Sequence, residues 1–146
     1  SSEDEILDQE NIPWLSFQYQ FLRCKIQNVY DADTVTLALL FNSKPYLVKC
    51  RLFGIDSPEI RTRDLEEKTA GKKSRDWLKN EIEGTKMWVD CGDWDKYGRL
   101  LGTLYRDQEK TLNLNNEIVS NGYATNYDGK KKKKWREKYF AVVSLL

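Results

Sequence analysis

Hydrophobic residues recur along this chain at two spacings, one typical of strands and one typical of helices. Five runs combine apolar and β-branched residues at strand spacing: Leu22–Tyr30, Thr34–Phe41, Tyr46–Phe53, Lys86–Cys91 and Leu100–Tyr105. The second and third runs are separated by Asn42–Pro45, whose residue types favour a turn. The pattern therefore predicts five strands, the first three of them consecutive.

Apolar residues at three-to-four spacing predict helices in the rest of the chain. The clearest helix runs from Asp64 to Glu83, with glutamates early and lysines later, although Gly71 weakens its middle. A short helix that Asn115 caps comes next, and a final helix is expected from about Lys132. Strands that mostly precede helices are typical of an α+β fold. Because closure removes exposed strand edges, we expect a five-stranded β-barrel with about three flanking α-helices.

The chain has 146 residues, of which residues 1–15 are interpreted as an acidic arm and 16–146 as a single folded domain. Ile12–Leu15 is expected to anchor the arm. Apolar runs stay well below the ~20 residues of a transmembrane helix, so we expect a soluble protein without a membrane partner. We also expect it to be a monomer. The chain begins with Ser-Ser-Glu rather than Met, which suggests a trimmed N-terminus from which any targeting segment has gone; the sequence indicates no compartment.

The residue types narrow the possible chemistry. The chain has no histidine, which excludes Ser-His-Asp triads and metal sites that need histidine ligands. Its three cysteines show no C-x-x-C spacing, and Cys24 and Cys50 lie in apolar runs where burial is expected. Neither a zinc site nor a redox motif is therefore favoured.

Charge is distributed unevenly along the chain. Lys and Arg number 24 against 23 Asp and Glu, and five of the acidic residues lie within the first ten. The remaining body is therefore basic, with basic stretches at 61–75 and Lys130–Lys134. A basic body rich in aromatic residues fits a polyanionic partner, although the lysine run alone fits a solvated surface equally well.

Asp31-Ala32-Asp33-Thr34 is the first of three polar segments that can carry chemistry. In an extended segment, Asp31 and Asp33 project from one face. Two carboxylates on one face favour a cation nearby, and oxygen ligands without histidine point to Ca²⁺ or Mg²⁺. An Asp-rich turn is the alternative interpretation.

The second segment begins at Arg51, in the third predicted strand. Arg51, Phe53 and Ile55 would share one face of that strand, Asp56 would follow at its end, and a Ser-Pro turn would direct Glu59 back. The arginine suits bidentate contact with a phosphate. The alternative is a surface ion pair beside a turn.

The third segment is Asp95-Lys96-Tyr97-Gly98-Arg99. Two cations around a Tyr-Gly turn would form a phosphate clamp with a ring on which a base can stack. A hairpin turn with exposed charges is the alternative.

These three segments, together with Asn115-Asn116-Glu117 and Gly122-Tyr123-Ala124, resemble the staphylococcal nuclease (thermonuclease-like) family in order and spacing. The resemblance covers about residues 20–140. It implies an OB-fold barrel of five strands with three helices. It also implies Ca²⁺-dependent hydrolysis of DNA and RNA phosphodiesters that leaves 3′-phosphate ends. Because such a substrate is recognised by its backbone charge and by base stacking, we expect weak sequence specificity and a preference for single or flexible strands.

The resemblance implies a binding site for one Ca²⁺. Asp33 and Asp56 would bind the ion through their carboxylates, Ser57 through its main-chain carbonyl and Asp31 through water. Ala32 stands where the family usually has glycine, at a cost of about 1 kcal/mol if that position needs a positive φ. Ser57 stands where threonine is common, which should matter little for a main-chain ligand.

The same resemblance implies the catalytic roles. Glu59 would act as the general base, and Arg51 and Arg99 would hold the scissile phosphate. Four further residues would contact the substrate: Lys96, Tyr97, Tyr123 and Tyr127.

Two other classes of function remain open. A catalytically inactive OB module of the same family would bind nucleic acid or a protein partner without cleaving it, and a Ca²⁺-stabilised structural domain would bind no polyanion. The complete set of ionisable residues argues against the inactive module. Regulation by an acidic arm that folds over the basic cleft is a further hypothesis.

Overall fold

The computed structural model describes residues 2–127 and confirms the α+β class. Its elements are, in chain order, α1 (Ser2–Leu7), β1 (Phe21–Asp31), β2 (Thr34–Phe41), β3 (Lys44–Leu52), β4 (Ile55–Asp56), α2 (Leu65–Ile82), β5 (Lys86–Trp94), β6 (Leu100–Tyr105), α3 (Leu114–Ser120) and β7 (Thr125–Asn126). The final predicted helix and the Lys130–Lys134 run lie outside the described residues.

The five predicted strands form the closed barrel that their number suggested, in the order β1-β2-β3-β6-β5. Neighbouring strands are antiparallel except β3 and β6, which pair in parallel and place Arg51 opposite Leu101. This pairing brings the end of β3 beside the start of β6. The two shortest strands, β4 and β7, pair with each other outside the barrel.

Alternate strand residues point inward and fill the barrel. Ile26, Leu37, Val89 and Leu104 are fully buried there. On one side α2 covers the barrel with a buried stripe of Ala70, Ser74, Leu78 and Ile82, and on another α3 inserts Leu114 and Ile118. The three cysteines are free and buried, as the apolar pattern predicted for two of them. Burial raises the pKa of the Cys24 thiol to about 12, which keeps it protonated.

The long helix follows its sequence signals closely. Asp64 caps α2 by accepting from the backbone N–H groups of Glu66 and Glu67 at 3.0 and 3.1 Å. Gly71 lies where the helix passes very close to the loop before it, since an added Cβ would be 2.7 Å from the carbonyl oxygen of Pro58. The glycine therefore permits close packing against that loop, which compensates for its low helix propensity.

Two local predictions need correction. The cap of α3 is Asn113, which accepts from the N–H of Asn116 at 2.9 Å, whereas Asn115 lies inside the first turn and is buried. The turn between β2 and β3 is shorter than predicted, because Asn42 and Ser43 both adopt positive φ, and the strand resumes at Lys44. The cap differs because Asn113 and Asn115 are both residue types that cap helices, and the turn differs because two residues with positive φ are enough to join the strands.

The acidic arm is attached differently from the prediction. The side chains expected to anchor it are exposed, with Trp14 at 96% and Ile12 at 60%. The attachment instead involves polar atoms next to them: the indole N–H of Trp94 donates to the Leu15 carbonyl, and the Ser16 hydroxyl donates to Asp93. All of α1 is exposed. Among the residues that the structure describes, no helix combines the length and apolarity that a membrane crossing needs.

Candidate active site

The candidate site begins where β3 ends in a tight turn. Gly54 adopts φ +78°, so the alternation of the strand is broken before β4. As a result Arg51, Phe53 and Ile55 do not share one face, contrary to the prediction: Ile55 is 2% exposed and Phe53 is 63% exposed. Arg51 and Asp56 nevertheless meet, because the turn folds the end of β4 back toward β3.

Arg51 is held in place by backbone and carboxylate oxygens. Its Nη1 donates to the carbonyls of Leu52 and Ile55 at 2.9 and 2.8 Å, which ties the two sides of the turn together. Its Nη2 lies 3.6 Å from Asp33 Oδ2 and 3.5 Å from Asp56 Oδ1. A single guanidinium group therefore organises the turn and lies between two acidic side chains that are 23 positions apart in the chain.

Asp33 is the most constrained carboxylate of the site. Its Oδ2 accepts from the backbone N–H and the hydroxyl of Ser57 at 2.9 and 3.1 Å, and its Oδ1 accepts from Thr34 Oγ1 at 2.9 Å. Burial alone would raise its pKa, but the charge of Arg51 and the hydrogen bonds outweigh burial and leave the pKa lowered. Asp33 is thus a buried, ionised carboxylate. The Ser57 hydroxyl helps to orient it, so the Ser57 side chain has a contact in the site besides the main-chain carbonyl that the resemblance implied as an ion ligand.

Asp31 lies directly beside Asp33 through a turn rather than along an extended face. Its Oδ1 accepts from the Asp33 N–H at 3.0 Å. Burial, and then the negative charge of Asp33, raise the pKa of Asp31 to about 8. Ala32 between them is fully buried and does not have a positive φ, so the strain considered for an alanine at this position does not arise.

The donor chemistry around Asp33 fits a hard divalent cation. Asp31, Asp33 and Asp56 present oxygen ligands, and a cation would relieve the part of the Asp31 pKa shift that comes from the Asp33 charge. Within residues 2–127, however, no three His, Cys, Asp or Glu side chains converge closely enough to hold a metal ion. Arg51, between Asp33 and Asp56, supplies the positive charge there.

Glu59 stands apart from the other acids of its segment. Its side chain is exposed, and its backbone N–H donates to Glu67 Oε2 at 3.3 Å. Its loop packs against α2 at Gly71, where an added Cβ would be 3.0 Å from the Glu59 carbonyl oxygen. The position of Glu59 is therefore set by the long helix.

The Asp95–Arg99 turn is organised around one acidic side chain. Asp95 accepts from the backbone N–H groups of Tyr97 and Arg99 at 2.9 and 2.8 Å and from Arg99 Nε at 2.7 Å. Partial desolvation would raise the pKa of Asp95, but the hydrogen bonds from Arg99 and Tyr97 outweigh it and lower the pKa. The guanidinium of Arg99 lies 5.3 Å from the centre of the Tyr97 ring, and Lys96 Nζ lies 5.2 Å from it.

The two halves of the site meet in one pocket of about 350 Å³, which we call the nucleotide pocket. It contains five of the residues that the sequence motifs singled out, namely Arg51, Lys96, Tyr97, Arg99 and Tyr127. The parallel pairing of β3 with β6 explains the meeting, because it places Arg51 beside the strand that Arg99 precedes. A pocket of this size with two guanidinium groups and exposed rings can hold an anionic, aromatic ligand.

Tyr123 is the predicted substrate residue that the structure places elsewhere. Its ring stacks on Trp77 of α2, with 4.5 Å between centroids, and it packs against the core. It is not among the residues that line the nucleotide pocket. Tyr127 does line that pocket, and its N–H donates to the Gly54 carbonyl at 2.8 Å.

Sequence analysis missed two contributors to the site. Exposed Phe53 lies on the wall of the nucleotide pocket, and Asn115 supports that wall from below by donating to the carbonyls of Phe53 and Gly102 at 3.0 and 3.2 Å. Asn115 also accepts from the Leu104 N–H. Phe53 could have been noticed as a large apolar residue beside a turn glycine, whereas Asn115 belonged to a family-like motif but was interpreted only as a helix cap.

Comparison with known proteins agrees with this geometry. The family model described as staphylococcal nuclease homologue matches residues 49–144, which include both halves of the nucleotide pocket. Endonuclease YhcR of Bacillus subtilis is 35% identical over 112 residues, covering 70% of this chain and 9% of that protein. Protein ParB of Escherichia coli is 31% identical over 112 residues, covering 73% of this chain and 58% of that protein.

A yeast protein extends the similarity toward the ends of the chain. Probable endonuclease LCL3 of Saccharomyces cerevisiae (strain RM11-1a) is 28% identical over 140 residues, covering 89% of this chain and 50% of that protein. The chain thus spans from about a tenth to somewhat over half of the relatives it matches. Given the matched family model, the closed barrel and the paired guanidinium groups, this chain belongs to the staphylococcal nuclease homologue family.

Proposed function

We propose that this chain is a nuclease domain that uses one Ca²⁺ to hydrolyse phosphodiester bonds in DNA and RNA and leaves 3′-phosphate ends. The observation that supports this most strongly is the joining of Arg51, Asp33 and Asp56 at the edge of a pocket that also holds Arg99 and Tyr97. Membership of the family, and relatives named as endonucleases, support the nuclease class.

Asp33 and Asp56 would hold the ion with the Ser57 carbonyl, and Asp31 would contact it through water. When bound, Ca²⁺ supplies positive charge next to the phosphate. Asp33 suits this role because hydrogen bonds from Ser57 and Thr34 already orient it in its ionised form. Arg51 Nη1 would stay on the carbonyls of the turn, while Nη2, which lies beside both carboxylates, would donate to a phosphate bound next to the ion.

The arginines stabilise charge that develops on the phosphate. Attack by water forms a bond to phosphorus and breaks the bond to the 5′-oxygen, through a bipyramidal transition state with charge on its equatorial oxygens. Arg51 and Arg99 donate hydrogen bonds to those oxygens, and removal of either should lower kcat on the order of a hundredfold or more. The exposed carboxylate of Glu59 accepts the proton of the attacking water, and solvent protonates the leaving oxygen.

The substrate is recognised by its backbone and by stacking rather than by its sequence. Tyr97 is 71% exposed and carries two cations beside its ring, which suits a base next to a phosphate. Tyr127 offers a second ring in the same pocket. Because a base must leave its neighbours to stack on these rings, single or flexible strands should be cleaved in preference to duplexes.

The test is cleavage of plasmid DNA and of single-stranded RNA with Ca²⁺, with and without a chelator. We expect cleavage that the chelator abolishes, with 3′-phosphate ends. Glu59→Gln should retain oligonucleotide binding but lose most turnover, whereas Asp33→Ala should lose Ca²⁺ affinity as well. Binding without cleavage would indicate the inactive OB module, and cleavage by Glu59→Gln at the wild-type rate would remove Glu59 from the mechanism.

A further inference from the structure

A second pocket, of about 370 Å³, lies where the end of β1 meets α2. We call it the basic pocket. Its polar lining residues are Asn28, Tyr30, Arg61, Arg75, Asp76 and Lys79. It shares no lining residue with the nucleotide pocket. Three of its six polar side chains are cationic and one is acidic, so the pocket suits an anionic ligand.

Two cations of the basic pocket are engaged in ion pairs that an anion can replace. Arg75 Nε lies 3.0 Å from Asp76 Oδ1, and the Asp76 side chain is 64% exposed. Lys79 Nζ lies 3.5 Å from Glu83 Oε2, with the lysine side chain 54% exposed. Exposed pairs of this kind contribute little in water, so exchanging a carboxylate for a phosphate has a small cost.

The basic pocket continues as a stripe along α2. Lys68, Lys72, Arg75 and Lys79 are separated by four, three and four positions, which places them on one side of the helix. At about 1.5 Å of rise per residue, the stripe is about 16 Å long. That length matches several successive phosphates of a nucleic-acid strand, and a basic stripe along a helix is a typical backbone-binding feature.

Two residues that line the basic pocket are close in the chain to residues of the candidate active site. Tyr30 directly precedes Asp31, and Arg61 follows Glu59 by two residues. The contact of Gly71 with the Pro58 carbonyl fixes α2 against the loop that carries Glu59. Since Asp31 and Glu59 are residues of the candidate site, these neighbours place the basic pocket next to that site along the chain.

We propose that the basic pocket and the stripe bind the sugar–phosphate backbone of the substrate strand beyond the nucleotide that occupies the nucleotide pocket. This inference rests on the proposed function, since it assigns the path of the same substrate. Tyr30, 48% exposed, lies at the junction and offers a ring on which the intervening base stacks. The domain therefore binds long strands more tightly than short ones, through residues remote from the bond that is cleaved.

The experiment compares two double variants that each remove two positive charges. Arg75→Gln with Lys79→Gln alters the basic pocket, and Lys25→Gln with Lys86→Gln is the control, because these exposed lysines lie opposite each other on β1 and β5. Binding of fluorescent single strands of three and twelve nucleotides is measured by anisotropy in chelator at several salt concentrations.

The wild type should bind the longer strand more tightly. The basic-pocket variant should bind the longer strand at least tenfold more weakly than the wild type does, and the shorter one less than twofold more weakly. The slope of log affinity against log salt should become shallower by about 0.7 for each phosphate that the variant no longer neutralises. Equal weakening for both lengths, or the same weakening in the control variant, would overturn the proposal.

Two further measurements separate the possible failures. Binding in chelator requires no cleavage. A protein that binds the longer strand more tightly than the shorter one but cleaves neither would therefore refute the proposed catalysis and leave this inference intact. If the wild type cleaves nucleic acid but the affinity of the basic-pocket variant depends on strand length as it does in the wild type, this inference alone would be refuted. If the double variant unfolds, Arg61→Gln in the loop provides the test, with affinity expected to fall threefold or more for the longer strand only.

Discussion

Arg51 shows at the level of one residue how stability and function overlap in this site. It joins the two sides of the turn through the carbonyls of Leu52 and Ile55, and it also lies between Asp33 and Asp56. Its side chain is 15% exposed, so each of these interactions is shielded from water. By contrast, Arg99 pairs with Asp95 in a surface turn and is 27% exposed.

Arg51→Lys should therefore destabilise the domain, while Arg99→Lys should not. Lysine cannot reproduce the fork of hydrogen bonds, so we expect Arg51→Lys to lower the free energy of unfolding by about 1–3 kcal/mol. The surface variant should stay within about 0.5 kcal/mol of the wild type. Both should lose cleavage activity. Urea denaturation measures the stabilities, and an Arg51→Lys variant as stable as the wild type would show that the hydrogen bonds of Arg51 with the turn contribute nothing.

Asp31 leads to a prediction about pH. The folded protein keeps this carboxyl protonated up to about pH 8, whereas the unfolded chain releases the proton near the ordinary value of 3.8. Between these values the folded state binds more protons, so the contribution of Asp31 to stability falls as pH rises. Asp31→Asn should remove that slope. Urea denaturation in chelator at about pH 5 and about pH 7.5 compares the variants, and an unchanged slope would contradict the pKa.

Among the elements, α2 connects the fold to the candidate site. Its buried stripe covers the barrel, and its close approach at Gly71 holds the Pro58–Glu59 loop. Its basic side carries the stripe that we propose binds the substrate backbone. One helix thus sets the position of Glu59 and contributes to the basic pocket.

Gly71→Ala tests this coupling. The added methyl would lie 2.7 Å from the Pro58 carbonyl oxygen, so the loop must shift. We expect a loss of about 1–3 kcal/mol from overpacking, more than the gain of up to about 1 kcal/mol in helix propensity. Cleavage should also slow, because Glu59 moves. Asn80→Ala, at an exposed position of the same helix, is the control and should keep stability and rate. A Gly71→Ala variant as active as the control would show that the loop does not depend on this close approach.

Considered as a whole, the molecule forms its site where the barrel closes. The parallel β3–β6 pair joins the segment of Arg51 to the segment of Arg99, and the β4–β7 pair adds Tyr127. The acidic arm lies outside this arrangement, since all of α1 is exposed and the attachment is made by Leu15 and Ser16. We therefore predict that any effect of the arm on the site comes from its charge rather than from packing.

Deletion of residues 1–13 should leave the stability of the domain within about 0.5 kcal/mol of the wild type, because residues 2–13 are exposed. It removes five negative charges, so KM for nucleic acid should fall at low salt. The difference should disappear near physiological salt, where charges beyond about 8 Å are screened. An unchanged KM at low salt would exclude an electrostatic role of the arm.

Local patterns were sufficient to predict much of this protein from its sequence. Alternation of apolar residues identified the five barrel strands, and an Asp cap with three-to-four spacing delimited α2, because these signals depend on neighbours along the chain. The order of the polar motifs was enough to identify the family, and the resemblance selected five of the eleven residues that line the nucleotide pocket.

Tertiary structure alone decided how the selected side chains are used. Arg51 lies between Asp33 and Asp56, Tyr123 stacks on Trp77, and Asn115 supports the site wall rather than capping a helix. Each of these outcomes depends on interactions between segments far apart in the chain. Such interactions are set by barrel closure and by the competition of several possible partners for one polar group, neither of which leaves a periodic signal in the sequence.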